Sequence, residues 1–580
     1  MNSPATMYRK ITVERDVPFK TSDGVRLYAD LYYPDGPGRF PALLMRLPYN
    51  KDSAQNYNFV HPMWFARHGY LVVIQDTRGR NKSEGEFYPF IHEAQDGFET
   101  IQWVSDLPQC DGQVGMYGCS YPAQGQLLAA SRQPPALAAA APASAGIDFY
   151  RDLHYDYGGA FSLMFNASWA TELARDTAIR QGLPELQAQL TQMEREYPQR
   201  CWNLPMGEVN APIDFKSVAP YFYDWLEHPA RDDYWRRIDV DEIYRQIQIP
   251  MLHMGGWYDA FVEASVRHYT RLKALGRDQN GRPKQRLVIG PWYHMPWTEV
   301  VGTVDFGDQA ANPLNELLIS WFNYWMKGAD DAFLDSPPVK LFVMGENRWR
   351  EAEDWPPPGT RFVKYYLHSA GRANTLSGNG WLSPETPQDE LPDIYLYNPL
   401  DPVPSTGGQS CCFHPAAAMG AYDQRAVEMR NDVLVYSTPP LETDTEITGP
   451  VSAVLWAASS APDTDFTVKL VDVHPCGKAI NLCDGILRAR FRDSLEEPSL
   501  IKADEIYRYE IQVGVTSNLF MKGHKIRVEV SSSNFPTYDR NPNNGQWPSE
   551  ATTSDMKFAT QTIFHAADTP SYISLPVAPR

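Results

Sequence analysis

The run Gly118-Cys119-Ser120-Tyr121-Pro122 carries the residue types needed for nucleophilic attack on a carbonyl. It is entered from a strand-like stretch, Gly115-Met116-Tyr117-Gly118, and followed by helix-compatible sequence over Ala123–Ser131. A sharp strand-to-helix turn would push the Ser120 hydroxyl out of the sheet edge, and small neighbours are needed because backbone is crowded there. The same turn would aim the Tyr121 backbone N–H, at the positive end of the helix, toward a developing oxyanion. Proline stands where the general pattern has a fifth-position glycine, which the first turn of a helix accepts. A hydroxyl nucleophile also needs a base, and the base needs a carboxylate to fix its tautomer. In such folds the order along the chain is serine, acid, histidine. Asp259, in Gly255-Gly256-Trp257-Tyr258-Asp259, and His294, in Gly290-Pro291-Trp292-Tyr293-His294, supply that order.

These residues must be positioned by a sheet. Short apolar runs at Ile11–Pro18, Val25–Tyr33, Ala42–Arg46 and Tyr70–Gln75 alternate with turns, and Phe98–Leu107 has helical spacing. Strand, helix, strand, helix in this rhythm predicts an α/β doubly wound sheet, with the strands at 250–254 and 286–289 preceding Asp259 and His294. Both residues then fall past the carboxyl ends of strands, the edge where such sheets build sites. From 148 to 246 strand-like runs vanish and amphipathic segments such as Trp169–Gln181 and Pro184–Tyr197 take over, which predicts a helical cap inserted into the core. After Trp355-Pro356-Pro357-Pro358-Gly359 the pattern becomes period-two, as in Phe466–Val473 and Lys525–Val530, and predicts an all-β jelly roll. The expected division is 1–147 and 247–354 for the α/β core, 148–246 for the cap and 355–580 for the β-sandwich.

The bulk numbers agree with a multi-domain globular chain: 580 residues, 43% hydrophobic and 21% charged. A net charge of −19 repels phosphate and anionic lipid, so no nucleic-acid or membrane partner is expected. Neither an N-terminal apolar leader nor ~18 uninterrupted apolar residues occurs, the Ala-rich run at Leu127–Ala145 being broken by Arg132, Pro134, Pro135 and Pro142. Seven unevenly spaced cysteines suggest no disulfide framework and favour a reducing compartment, hence a cytoplasmic enzyme.

Several runs together resemble the cocaine esterase and X-Pro dipeptidyl peptidase family, which includes glutaryl acylases and α-amino acid ester hydrolases. They are Pro48-Tyr49, Gln75-Asp76-Thr77-Arg78-Gly79, Ser83-Glu84-Gly85, Gly118-x-Ser120-Tyr121, Gly256-Trp257-Tyr258-Asp259 and Gly290-Pro291-Trp292-x-His294. The likeness continues through Leu341–Trp349 and Gly420–Arg425 and spans nearly the whole chain. It implies an α/β-hydrolase core, a helical cap and a C-terminal jelly roll, with a Ser120–His294–Asp259 triad. It also implies that the Tyr49 hydroxyl joins the Tyr121 N–H in the oxyanion hole. Independently, Tyr49 follows the strand Ala42–Arg46 and so belongs to the same sheet edge.

By the same resemblance, Tyr155 and Trp169 of the cap would line an apolar acyl pocket, Phe261 would complete its wall, and Ser410-Cys411-Cys412-Phe413 would close one side. Amino-acyl substrates would need acids for their α-ammonium group. Asp152, Asp156 and Glu263 are available but read as solvated surface, and Ala260-Phe261-Val262 follow the triad acid where the α-amino acid ester hydrolases carry further acids. Asp76-Thr77-Arg78-Gly79 reads as an ion-paired turn beneath the site, His253 as a core histidine, and Cys119 as a small neighbour of the nucleophile. Neither Cys411-Cys412 nor Cys476 and Cys483 has histidines at zinc-ligand spacing, so no metal or cofactor is expected. The expectation is a serine hydrolase acting on a small ester or simple amide. An X-Pro dipeptidyl peptidase or amino-acyl acylase stays open, as do a silent binding protein on the same fold and a homo-oligomeric state.

Overall fold

Strands whose apolar residues run without alternation are buried on both faces, and the central strands here obey that rule. The computed structural model describes residues 7–53, 58–412 and 416–579. In chain order, β1 (Ile11–Lys20), β2 (Arg26–Pro34), β3 (Phe40–Leu47) and β4 (Leu71–Asp76) precede helix α1 (Glu93–Ser105). Then come β5 (Cys110–Cys119), α2 (Tyr121–Ala130) and β6 (Leu137–Ala143). After the helices of residues 149–246, β7 (Met251–Tyr258), β8 (Gln285–Tyr293), β9 (Val339–Val343) and β10 (Arg348–Ala352) complete one sheet. Its strand order is β1-β2-β4-β3-β5-β6-β7-β8-β9-β10, parallel from β4 through β9. Because β4 and β5 flank β3 on opposite sides, the winding reverses there and opens a crevice at the carboxyl ends of β3 and β5.

Alternate residues of β3 feed two cores. Ala42 and Leu44 pack with Ile101 of α1 and Leu127 of α2, whereas Leu43 and Met45 pack with Trp321 and Phe322 on the other face. All ten residues of α2 are buried. A helix with no polar face must be enclosed, so α2 holds the Ser120 turn from within. Truncating its Leu127, which is fully buried, would cost about 2–5 kcal/mol.

Two helices dominate the inserted segment, α3 (Leu163–Arg180) and α4 (Pro184–Arg200). From Arg361 on, the described residues form an eleven-stranded β domain. Its longest strand, β11 (Thr445–Ser459), shifts register between Val451 and Ser452, and such bulges bend a strand. It pairs with three other strands, which lets the sheet wrap round its own core.

The β domain reaches the sheet edge through residues 408–412. Ser410 N–H donates to Tyr258 O (3.2 Å), and Ala260 N–H donates to Ser410 O (3.3 Å). No helix among the described residues is long and apolar enough to cross a membrane.

Candidate active site

The turn at Ser120 is under backbone constraint. Ser120 has φ 66° and ψ −129°, a conformation that L-residues other than glycine enter rarely. The neighbouring Gly118 cannot be larger, since a Cβ there would lie 2.4 Å from Pro122 Cβ. Ser120 N–H donates to Ala143 O (3.0 Å), which fastens the turn to β6. Tyr121 turns its side chain into the core, where its hydroxyl donates to Glu93 (3.2 Å) and Glu93 pairs with the buried Arg46. Burial pushes the Cys119 thiol well above its usual range, so it stays protonated and is not a nucleophile at neutral pH.

Strands β7 and β8 run on to Tyr258 and Tyr293, several residues beyond the segments at 250–254 and 286–289. Asp259 and His294 are therefore the residues immediately after their strands. A Cβ on Gly256 would lie 2.1 Å from Trp292 O, so the two strand ends touch only because that position is glycine. His294 Nδ1 and Asp259 Oδ1 are 3.1 Å apart, and Phe261 N–H donates to the same carboxylate oxygen (2.8 Å). Both side chains are fully buried, and His294 Nε2 has no hydrogen-bond partner. Ser120, 8% exposed, forms no hydrogen bond to that nitrogen; such bonds commonly tighten only when substrate binds. Asn58, which sequence reasoning did not single out, bridges the two loops. Its amide donates to Cys119 Sγ (3.6 Å) and His294 O (3.4 Å), and its carbonyl accepts from Trp297 N–H (2.8 Å). A lone loop asparagine offers no sequence signal for this.

Tyr49 lies two residues past β3. Its hydroxyl accepts from Trp169 Nε1–H (3.0 Å), which leaves its own proton free to be donated elsewhere. Burial holds that phenol far above its usual range, so it stays protonated. The loop is gripped from the side by Arg80, whose guanidinium donates to Pro48 O (3.0 Å) and to Leu173 O of α3 (2.8 Å). Arg78 bonds Asp96 and Asp23 rather than Asp76, so the predicted ion-paired turn exists with other partners. His253 is a buried core histidine bonded to Gln285 (2.9 Å).

Aromatic rings connect these groups. Phe261 meets His294 edge-on at 5.1 Å, Phe165 meets Phe261 at 6.2 Å, and Phe165 stacks on Trp169 at 5.6 Å. Phe165 was missed in the sequence, although it sits one helical turn before Trp169. Tyr155 stacks on Tyr150 at 4.7 Å and spends its hydroxyl on Trp225 O (2.9 Å).

A cavity of about 70 Å³ lies between core, cap and β domain, with Tyr155, Phe165, Phe261 and Cys411 among its walls. Trp169, Cys412 and the Ser120 and His294 side chains are not among them, and Phe413 lies outside the described residues. Asp152, Asp156, Glu263 and Asp484 also face this cavity. The expectation of solvated surface for the first three is therefore corrected: Asp152 is buried against Arg267, and Asp156 and Glu263 are part-buried. Burial pushes their carboxyls up, to about 7 for Asp156 and about 8 for Glu263. The cysteines also differ from expectation in one respect, since Cys411 and Cys412 are joined by a disulfide.

Comparison with known proteins agrees with this architecture. Residues 23–296 match the X-Pro dipeptidyl-peptidase (S15) family and residues 331–574 the X-Pro dipeptidyl-peptidase C-terminal non-catalytic domain. The chain is 40% identical to cocaine esterase of Rhodococcus sp. over 98% of its own length and 99% of the relative's. Among solved structures, an aminopeptidase from a marine sediment Thaumarchaeota archaeon and an α-amino acid ester hydrolase each superpose with TM-score 0.83 at 25% identity. Each match covers 100% of this chain and 98% of the other. The chain is thus a serine hydrolase, an α/β-hydrolase with a C-terminal β domain, and it belongs to the cocaine esterase and X-Pro dipeptidyl-peptidase family.

Proposed function

We propose that Ser120, His294 and Asp259 form the triad and cleave a small carboxylic ester through an acyl-enzyme on Ser120. The observation that carries this is the His294–Asp259 bond at 3.1 Å, which fixes the ring while leaving Nε2 buried and unpartnered. Asp259 holds the proton on Nδ1, so Nε2 is the basic nitrogen. His294 takes the Ser120 proton as its oxygen attacks the carbonyl, and the tetrahedral oxyanion accepts from Tyr121 N–H and Tyr49 O–H. His294 then protonates the leaving alcohol, and water activated by the same ring releases the acid. Residues 1–147 and 247–354 act as the core that presents the triad, 148–246 as the cap that brings Tyr155 and Trp169, and 355–580 as the β domain that brings Cys411 and Cys412. The ring series from Phe261 to Trp169 suits a flat or bulky acyl group.

The acids around the cavity support a second reading, an amino-acyl substrate whose ammonium group Asp156 and Glu263 would receive. A fluorophosphonate probe should label wild type and not Ser120→Ala. Aryl esters, aryl amides and X-Pro dipeptide amides, assayed on one preparation, decide between the readings. An unlabelled wild type with no turnover of any of the three refutes both.

A further inference from the structure

The disulfide loop carries chemistry that hydrolysis does not use. Cys411 and Cys412 sit at the end of the segment that pairs with the acid loop, held there by the Asp259–Ser410 backbone bridge. Their two sulfurs and a ring nitrogen of His294 all lie within 4.8 Å of one another. His294 is fully buried, its Nδ1 is engaged by Asp259, and its Nε2 has no partner.

Two sulfurs and one imidazole form a donor set that suits zinc, and a carboxylate on the far ring nitrogen is the usual way of orienting a zinc-bound histidine. A tetrahedral zinc ion with bonds of about 2.3 Å to sulfur and about 2.0 Å to nitrogen sets its ligand atoms roughly 3.5–3.8 Å apart. Breaking the sulfur–sulfur bond so that the two sulfurs part, and closing separations that are at most 4.8 Å, would bring the trio to that spacing. Spacing along the chain could not reveal the set, because the histidine is more than a hundred residues away from both cysteines.

We propose that, when the Cys411–Cys412 disulfide is reduced, the two thiolates and His294 bind a zinc ion, and that this silences hydrolysis. The silencing rests on the reading of His294 as the base: a metal on Nε2 occupies the lone pair that must receive the Ser120 proton. The disulfide form lacks anionic sulfur and does not bind. Reduction consumes two electrons and two protons. A dithiol reductant supplies both, becoming a disulfide as the Cys411–Cys412 bond breaks into two thiols. Zinc then forms two Zn–S bonds with release of two thiol protons to solvent, and a third bond to nitrogen, without change of oxidation state.

The test uses the full chain in two arms. In the binding arm, Ser120→Ala protein is prepared in disulfide and reduced forms, freed of reductant under argon, and titrated with zinc against a chromophoric chelator. The reduced form should bind at least tenfold more tightly than the disulfide form. Cobalt in place of zinc should give a thiolate charge-transfer band, and Cys412→Ser and His294→Ala should each weaken binding at least tenfold. Equal binding by the two forms, absence of the band, or unweakened binding by His294→Ala overturns the site. In the activity arm, reduced wild type should lose at least nine-tenths of its ester turnover on adding zinc and regain it with EDTA, while the disulfide form keeps its turnover. Binding without loss of turnover overturns the silencing. A wild type with no hydrolase activity refutes the base assignment instead, and the binding arm still decides the metal site.

Discussion

Replacing Tyr49 by Phe removes one oxygen and keeps the ring. The hydroxyl is anchored by Trp169 Nε1–H at 3.0 Å and stays protonated because burial disfavours the phenolate. Its own O–H is the donor proposed for the oxyanion. Loss of one such donor costs about 10²–10³ in turnover, or about 2.7–4 kcal/mol of transition-state stabilisation. The substitution also strands the buried indole N–H, at a cost of about 1–3 kcal/mol in stability. The two effects separate by measuring kcat and KM on an aryl ester well below the unfolding transition of each variant. Trp169→Phe removes the anchor while keeping an aromatic ring, and should lower kcat by about tenfold, about 1.4 kcal/mol. Because Trp169 acts through the Tyr49 hydroxyl, the double variant should be no slower than Tyr49→Phe alone. A Tyr49→Phe enzyme that keeps more than a third of wild-type kcat refutes the reasoning. So does a double variant whose loss is the product of the two singles.

Other consequences follow from the same contacts. Ser120→Ala and His294→Ala should each reduce kcat by about 10⁴-fold or more, and combining them should add little, because the residues act as one unit; multiplicative losses would argue against a triad. Arg80→Met should leave the fold intact by circular dichroism but lower kcat by about tenfold, since it frees Pro48-Tyr49 from α3; unchanged kcat would show that the loop is held otherwise. Glu263 has a carboxyl raised by burial from 4.5 to about 8, so the fold favours its neutral form. The penalty for ionising it grows as pH rises above the unfolded value and levels off once pH passes the folded one. Glu263→Gln should therefore leave denaturant stability unchanged near pH 5 and raise it by about 1–3 kcal/mol near pH 9. An equal effect at both pH values would refute the assignment.

What the sequence determined by itself is the set of elements whose residues decide locally. Strands β3, β4, β7 and β8 were legible because they are buried on both faces and so read as unbroken apolar runs. The turn at Ser120 was legible because Gly118 and Pro122 are dictated by backbone geometry within a few residues. Strand β6 was not recognised as a strand, since alanine has little strand preference and Pro142 argues against one; its place comes from parallel neighbours on either side.

Contacts between distant segments were decided only in three dimensions. Asn58 between the Cys119-Ser120 turn and the His294 loop, Arg80 holding Tyr49, Phe165 in the ring series and the acids around the cavity each depend on partners far away in the chain. So does the approach of the Cys411–Cys412 pair to His294. The physical reason is that backbone crowding and burial leave a local trace in residue type, whereas a hydrogen bond or ring contact between remote loops leaves none until the sheet, cap and β domain have packed together.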